Sequence, residues 1–258
     1  MINIPVEDFI IVLLIFMRII AAFVSSPIYG HKAIPALVKV FLSLIISYIV
    51  FLTIDKSQIQ VELSIAWLFV NAMKEIITGL IIGFTLNFIF HGISYAGMLI
   101  GFDMGLSMAN ELNPIDGTNG NVIGDFLYMA SILLFLLING HYYIISSLVY
   151  SFAIIHIGKF TINQPVYDLI VKYSGAVFII AVKIASPILV SFILIQIAEG
   201  IMTKVIPQLQ VFFVAQPFLT GFGIFMLASL VPVYIYVIKY LLKGYEDNLV
   251  TLIRAMGQ

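Results

Sequence analysis

"SIAWLFVNAMKEIITGLIIGFTLNFIFHGISYAGMLI", residues 64–100, decides the fold class. The run is continuously apolar rather than alternating, so it reads as helix and not as barrel strand. It is also too long. Roughly 20 residues carry a helix across the hydrocarbon core, so this run has to tilt steeply, break, or continue beyond the bilayer. Lys74 and Glu75 stand inside it. A charge facing lipid at a helix centre costs at least about 2.5 kcal/mol, so such groups face protein or water.

Outward from this run, further apolar blocks cover 9–28, 36–54, 126–157, 174–198 and 211–238. The first two have the length of one span, the last two have length to spare, and 126–157 shares the excess of 64–100. The chain of 258 residues is 62 % hydrophobic and 10 % charged, with a mean hydropathy of +1.14. A soluble domain is nearer half apolar and a quarter charged. The expected fold is an all-α integral membrane protein with about six long, partly broken apolar helices, forming a single membrane-embedded domain over 1–258. A net charge of −1 leaves no basic footprint for nucleic acid. With no cysteine there are no disulfides, thiolate chemistry or cysteine–metal sites. The opening "MINIPVEDFIIVLLIFMRIIAAFVSSPIYG" lacks a basic n-region and carries Glu7 and Asp8 before its apolar run and Arg18 inside it. It reads as a retained first span rather than a cleaved signal.

Pro27, Gly30 and Pro35 mark the first turn, and "HIGKFTINQPVYD" (156–168) reads as an extramembrane segment. Pro207 and Gln208 close the link "EGIMTKVIPQLQ", while Pro187, Pro217 and Pro232 stand inside helical runs as expected kinks. With both ends in the cytoplasm, the inner segments hold more lysine and arginine than the outer ones, which favours that orientation. The tail 239–258 then reads as an amphipathic cytoplasmic end.

Arg18, Lys74, Glu75, Asp103, Asp125, Lys183 and Glu199 lie in or beside apolar sequence. Sequence neighbours point about 100° apart on a helix, so Lys74 and Glu75 are poor partners for each other. Each is expected to pair with another helix or another subunit. Buried ionic assembly contacts are the favoured reading, ahead of a proton relay. The histidines, His31, His91, His141 and His156, have no metal-ligand spacing. His141 follows Asn139-Gly140 and is expected to hydrogen-bond at a helix break. No nucleophile elbow, P-loop, dinucleotide fingerprint or HExxH is present. We expect no enzyme activity, no cofactor and no metal.

Between the third and fourth blocks runs "GFDMGLSMANELNPIDGTNGNVIGD" (101–125), rich in glycine and asparagine and free of lysine and arginine. Methionine adapts to varied surfaces, glycine allows positive φ, and Asn113-Pro114 and Asp116-Gly117 carry turn chemistry. An ordinary connecting loop is one reading, and an ordered functional loop is the other.

"IPALVK" (34–39), "GFDMGLSMANELNP" (101–114), "LLFLLINGHYYIISSLVYSF" (133–152) and "KVIPQLQVFFVAQPF" (204–218) occur in an order and spacing that span nearly the whole chain. In these stretches the chain resembles the family of the flagellar biosynthetic protein FliR and its type III secretion counterpart SctT. The resemblance implies a core subunit of a protein export gate, built from a FliP-like part followed by a FliQ-like part. Family members assemble with FliP-like and FliQ-like subunits into a helical closed pore. That pore lies at the centre of the flagellar or injectisome basal body in the bacterial inner membrane, largely raised out of the membrane plane, with FlhB-like and FlhA-like proteins as neighbours and unfolded polypeptides passing through. It also implies that the loop from Met104 to about Asn121 is the pore plug, with Met104, Met108, Glu111, Leu112, Asn113 and Pro114 as its candidate residues. Where family members carry bulky aromatics and an acidic residue before the proline, this chain has Met108, Glu111 and Asn113. The alternative function is a secondary transporter for a small solute, which internal charges and broken helices suit, although no inverted repeat is visible. A membrane enzyme or assembly factor without a pore of its own is a further alternative. Co-purification of a hetero-oligomer separates these from an export gate.

Overall fold

The computed structural model describes residues 5–56, 59, 61–106, 121–206 and 211–257, the last group with side chains from 215 onward. Its regular elements are helices: α1 (Val6–Ser25), α2 (Ala36–Thr53), α3 (Ile65–Asp103), α4 (Val122–Leu137), α5 (Gly140–Ile154), α6 (Gln164–Val205) and α7 (Val211–Met256). Five are long and apolar enough to cross a membrane, and α4 with α5 makes a sixth when read as one bent span. The chain is an all-α membrane protein. Met108, Glu111, Leu112, Asn113, Pro114, Pro207 and Gln208 lie outside the described residues.

The overlong third block is one helix of 39 residues. The overlong fourth block is broken instead, with α4 and α5 meeting at 71°. The break falls on Asn139, which takes the left-handed conformation at φ 60°. Asparagine is among the few residues that tolerate this region. The last two helices exceed their apolar blocks, at 42 and 46 residues. α6 starts early because the Asn163 side chain accepts the Val166 amide at 3.1 Å, and Pro165 suits a first turn, where its missing N–H costs nothing. α7 continues through 239–256 because Leu242, Tyr245, Leu249, Leu252, Ile253 and Met256 recur at helical spacing and are buried.

α6 and α7 run through Pro187, Pro217 and Pro232. Proline at 187 takes away the amide that the Lys183 carbonyl needs, and the Ser186 hydroxyl donates to that carbonyl at 2.9 Å instead. Pro35 stands immediately before α2 as its N-cap residue. The turn ahead of it is tied by Lys39, whose ammonium donates to the carbonyls of Gly30 (2.9 Å) and His31 (3.1 Å).

The chain divides into two compact units. The first comprises residues 1–88, 139–173 and 243–258. In it α1 packs closely on α3, since a Cβ on Gly79 would strike the Arg18 carbonyl and one on Gly83 the Ala22 carbonyl and the Ser25 hydroxyl. This is the small-xxx-small spacing that lets membrane helices approach. The end of α7 belongs to the same unit, where the Asn163 side chain donates to the Ala255 carbonyl (2.8 Å) and the Tyr173 hydroxyl to that of Asn248 (3.0 Å). The second unit comprises residues 89–138 and 174–242. There Phe90 meets Tyr128 and Phe135 edge to face, and the backbones of α3 and α4 touch at Gly97 and Gly124.

Candidate functional site

Two constructed sites emerge, one in each unit. In the first unit Arg18 is fully buried among apolar neighbours, and Glu75 on α3 is equally buried. Stripping both ions of water costs several kcal/mol each, so the arrangement persists only if nearly every polar atom is matched. The Arg18 Nε donates to Glu75 Oε2 at 2.6 Å, Nη1 to the Ser151 hydroxyl at 3.2 Å, and Nη2 to the Ile155 carbonyl at 3.0 Å. The guanidinium carbon also stands 4.1 Å from the centre of the Phe152 ring, a favourable cation–π geometry.

The second oxygen of Glu75 accepts the Gly158 amide at 2.8 Å, and the Lys74 ammonium donates to the Gly158 carbonyl at 2.9 Å. Gly158 takes φ +76°, and a Cβ there would strike the Asn71 carboxamide. Adjacent residues of α3 thus grip the two faces of one peptide turn, while Arg18 binds the α5 end that leads into it. Lys74 and Glu75 do not pair with each other. Each finds a partner elsewhere in the fold, as their 100° separation requires.

The second site is the exit from α3 toward the central stretch. α3 ends at Asp103, and Gly105 takes φ +74°. This is the left-handed stop that glycine commonly supplies after a helix. The Met104 side chain is fully buried. Its carbonyl accepts from Gln216 Nε2 at 3.0 Å and from the Thr220 hydroxyl at 2.9 Å, both on α7. A Cβ on Gly223 would collide with the Met104 side chain. The other end is also anchored: Asn121 caps α4 by accepting the Gly124 amide at 3.2 Å. A Cβ on Gly101 would meet the Asn121 side chain 2.9 Å away. The stretch between Gly105 and Asn121 therefore leaves and returns at fixed points.

Of the charges singled out in the sequence, Arg18, Lys74 and Glu75 come together. The rest belong to the second unit. Asp103 is half-buried at the end of α3, Lys183 is exposed on α6, and neither has an ion-pair partner among the described residues. Glu199 is partly buried, with Oε1 lacking a hydrogen-bond partner among the described residues. His141 hydrogen-bonds at the helix break through its carbonyl, which accepts the Tyr29 hydroxyl at 3.3 Å, while its buried Nδ1 has no hydrogen-bond partner among the described residues. Sequence reasoning missed Gln216 and Thr220, whose i, i+4 spacing is the one signal of a shared face. It also missed Ser151 and Gly158, which nothing local distinguishes.

Residues 9–245 match the model of the family described as bacterial export proteins, family 1. The chain belongs to this family. It is 31 % identical to the flagellar biosynthetic protein FliR of Bacillus subtilis (strain 168) over 248 residues, covering 95 % of both chains. It is 30 % identical to the protein of that name from Escherichia coli (strain K12), over 84 % of this chain and 82 % of that one. With its counterpart in Pectobacterium carotovorum the identity is 32 %, over 84 % and 82 % of the two chains. This export protein is thereby a subunit of a type III export apparatus, and the resemblance carried by its four stretches holds over almost its whole length.

Proposed function

We propose that this export protein is a core subunit of the flagellar type III export gate and forms part of the closed pore through which unfolded polypeptides are secreted. The observation that carries the reading is its match to flagellar biosynthetic proteins over 95 % of the chain. The whole of 1–258 acts as one gate subunit, a FliP-like part joined to a FliQ-like part. It works in the bacterial inner membrane at the centre of the basal body, beside FliP-like, FliQ-like, FlhB-like and FlhA-like proteins. It is a conduit rather than an enzyme. Much of its surface needs cover, since only 17 % of the α7 apolar window and 33 % of the α6 window are buried. Such faces suit lipid or other subunits.

In this reading the stretch beyond Met104 is the plug. Supporting it is the anchoring at Gln216, Thr220 and Asn121, which fixes where a displaceable segment starts and ends. The charges Arg18, Lys74 and Glu75, with Asp103, Lys183 and Glu199, serve assembly. Deleting several residues between Met108 and Gly117 tests the plug. The expected result is an assembled complex, at normal abundance on a native gel, whose host membrane leaks small ions. An assembled complex with unchanged permeability, at rest and under substrate load, returns the stretch to a connector. Removing the whole chain is expected to abolish flagellar protein secretion, and normal secretion without it would refute the gate reading.

A further inference from the structure

We infer that an apolar groove in the second unit is a binding site for a slender long-chain molecule with a neutral carbonyl acceptor, an aliphatic ester or amide, an inference independent of the export reading. The groove has a volume of about 570 Å³ and is lined by one face of α4, from Val122 to Leu134, and one face of α7, from Ile224 to Ile238. On each helix the lining residues recur mostly at three- and four-residue steps, so each wall is a continuous stripe. At 1.5 Å per residue the stripes run about 18 and 21 Å. Phe126, Leu133, Ile224 and Val231 on these walls are exposed at 59, 59, 57 and 41 %. Tyr234 stands among them and differs. It is 5 % exposed, and its buried hydroxyl has no hydrogen-bond partner among the described residues. Apart from Tyr234 the lining is aliphatic or phenylalanine.

The unmatched hydroxyl and the apolar walls together set the chemistry of the ligand. A buried water holds about three hydrogen bonds, and the side chains of this lining offer one. A pure hydrocarbon would cover the walls and leave the hydroxyl unpaired. A charged head would be stripped of water with no counter-charge in the lining. Apolar bulk carrying a neutral acceptor meets all three conditions, and the carbonyl of an ester or amide accepts from a phenol. Size narrows the choice further. A helix about 10 Å wide takes up roughly 1,400 Å³ over 18 Å of its length, more than twice the groove. Pockets for small molecules hold roughly 300–1,000 Å³ behind mostly apolar walls with a few placed polar groups. A single aliphatic chain laid along the two stripes suits both their length and the space between them.

The experiment uses the full chain, purified in neutral detergent with whatever subunits accompany it. The probe is methyl hexadecanoate carrying a diazirine in its chain, activated by light, with the labelled peptides read by mass spectrometry. Label should fall on 122–134 and 224–238. At equal mole fraction in the micelle, unlabelled methyl hexadecanoate should compete about fivefold better than hexadecane, the worth of one hydrogen bond. Tyr234→Phe removes a hydroxyl that has no partner in the fold, so the protein should stay folded and keep its label while the ester loses its fivefold advantage. Ala228→Trp, an exposed change on the groove wall, should remove the label from both segments. Label confined to other segments overturns the inference. So does equal competition by ester and hydrocarbon in the unaltered protein, or an ester advantage that survives Tyr234→Phe. Label that reaches both segments in the chain alone and disappears from them when its accompanying subunits are retained assigns the groove to a partner's helix and overturns the small-molecule assignment. Label on both segments in the complex, with the ester advantage tied to Tyr234, supports it.

Discussion

Replacing Glu75 by alanine strands a charge. The Arg18 guanidinium stays fully buried, keeps its bonds to Ser151 and Ile155 and its place over Phe152, and loses the carboxylate that neutralises it. Breaking a buried pair in this way costs roughly 3–5 kcal/mol. The Gly158 amide also loses its acceptor, and that loss is contained in the same figure. For a chain near this size 1 kcal/mol moves the midpoint by about 2–4 °C, so the shift expected is about 6–20 °C downward. The assay is the fraction of monodisperse complex surviving a heating series in detergent. Glu75→Gln retains an acceptor for Gly158 and should lose less. Arg18→Met combined with Glu75→Leu removes both charges, and apolar replacement of a buried pair is often close to neutral. It should therefore recover at least half of the Glu75→Ala loss. Should the double change prove as damaging as the two single losses added together, the charges are not coupled and the reasoning fails.

Gln216→Leu with Thr220→Val leaves the Met104 carbonyl without either donor. About 1–3 kcal/mol of local stability should go, read as faster hydrogen exchange at Met104 and Gly105, with exchange in α1 unchanged. If Met104 exchanges as before, its anchoring lies elsewhere. Gly79→Val drives a branched side chain into the Arg18 carbonyl and should cost about 1–3 kcal/mol by parting α1 from α3. An unchanged midpoint would contradict the close approach. Truncation before Leu242 removes a buried face of the first unit and should lower the yield of folded protein sharply. A truncated chain expressed at full yield would show that face to be dispensable.

Block length and continuity were enough to read an all-helical membrane chain, because a hydrocarbon solvent forces apolar runs to satisfy their own backbone. The break in the fourth block was also legible, since Asn139-Gly140 is local turn chemistry. The partner of Glu75 was not. Arg18 lies 57 positions away, and nothing in a single sequence reports which helices meet. The full extent of α7 was missed for another reason. Its stretch from 239 reads by sequence as an amphipathic cytoplasmic end, while its burial depends on α5 and α6 residues that sequence alone does not bring near. The central stretch was picked out by composition, but its anchoring by Gln216 and Thr220 depends on a tertiary contact.

The first unit is assembled from three stretches, 1–88, 139–173 and 243–258. The order of synthesis therefore constrains how the protein matures. The ribosome adds roughly 5–20 residues per second, so on the order of ten seconds or more separates completion of α2 from the arrival of Leu249 and Leu252. Once α3 has followed, Arg18 and Glu75 can meet, yet the surface that the end of α7 covers stays open. Whatever shields that surface in the cell, whether the insertion machinery or a chaperone, has to stay until the final turns of α7 emerge.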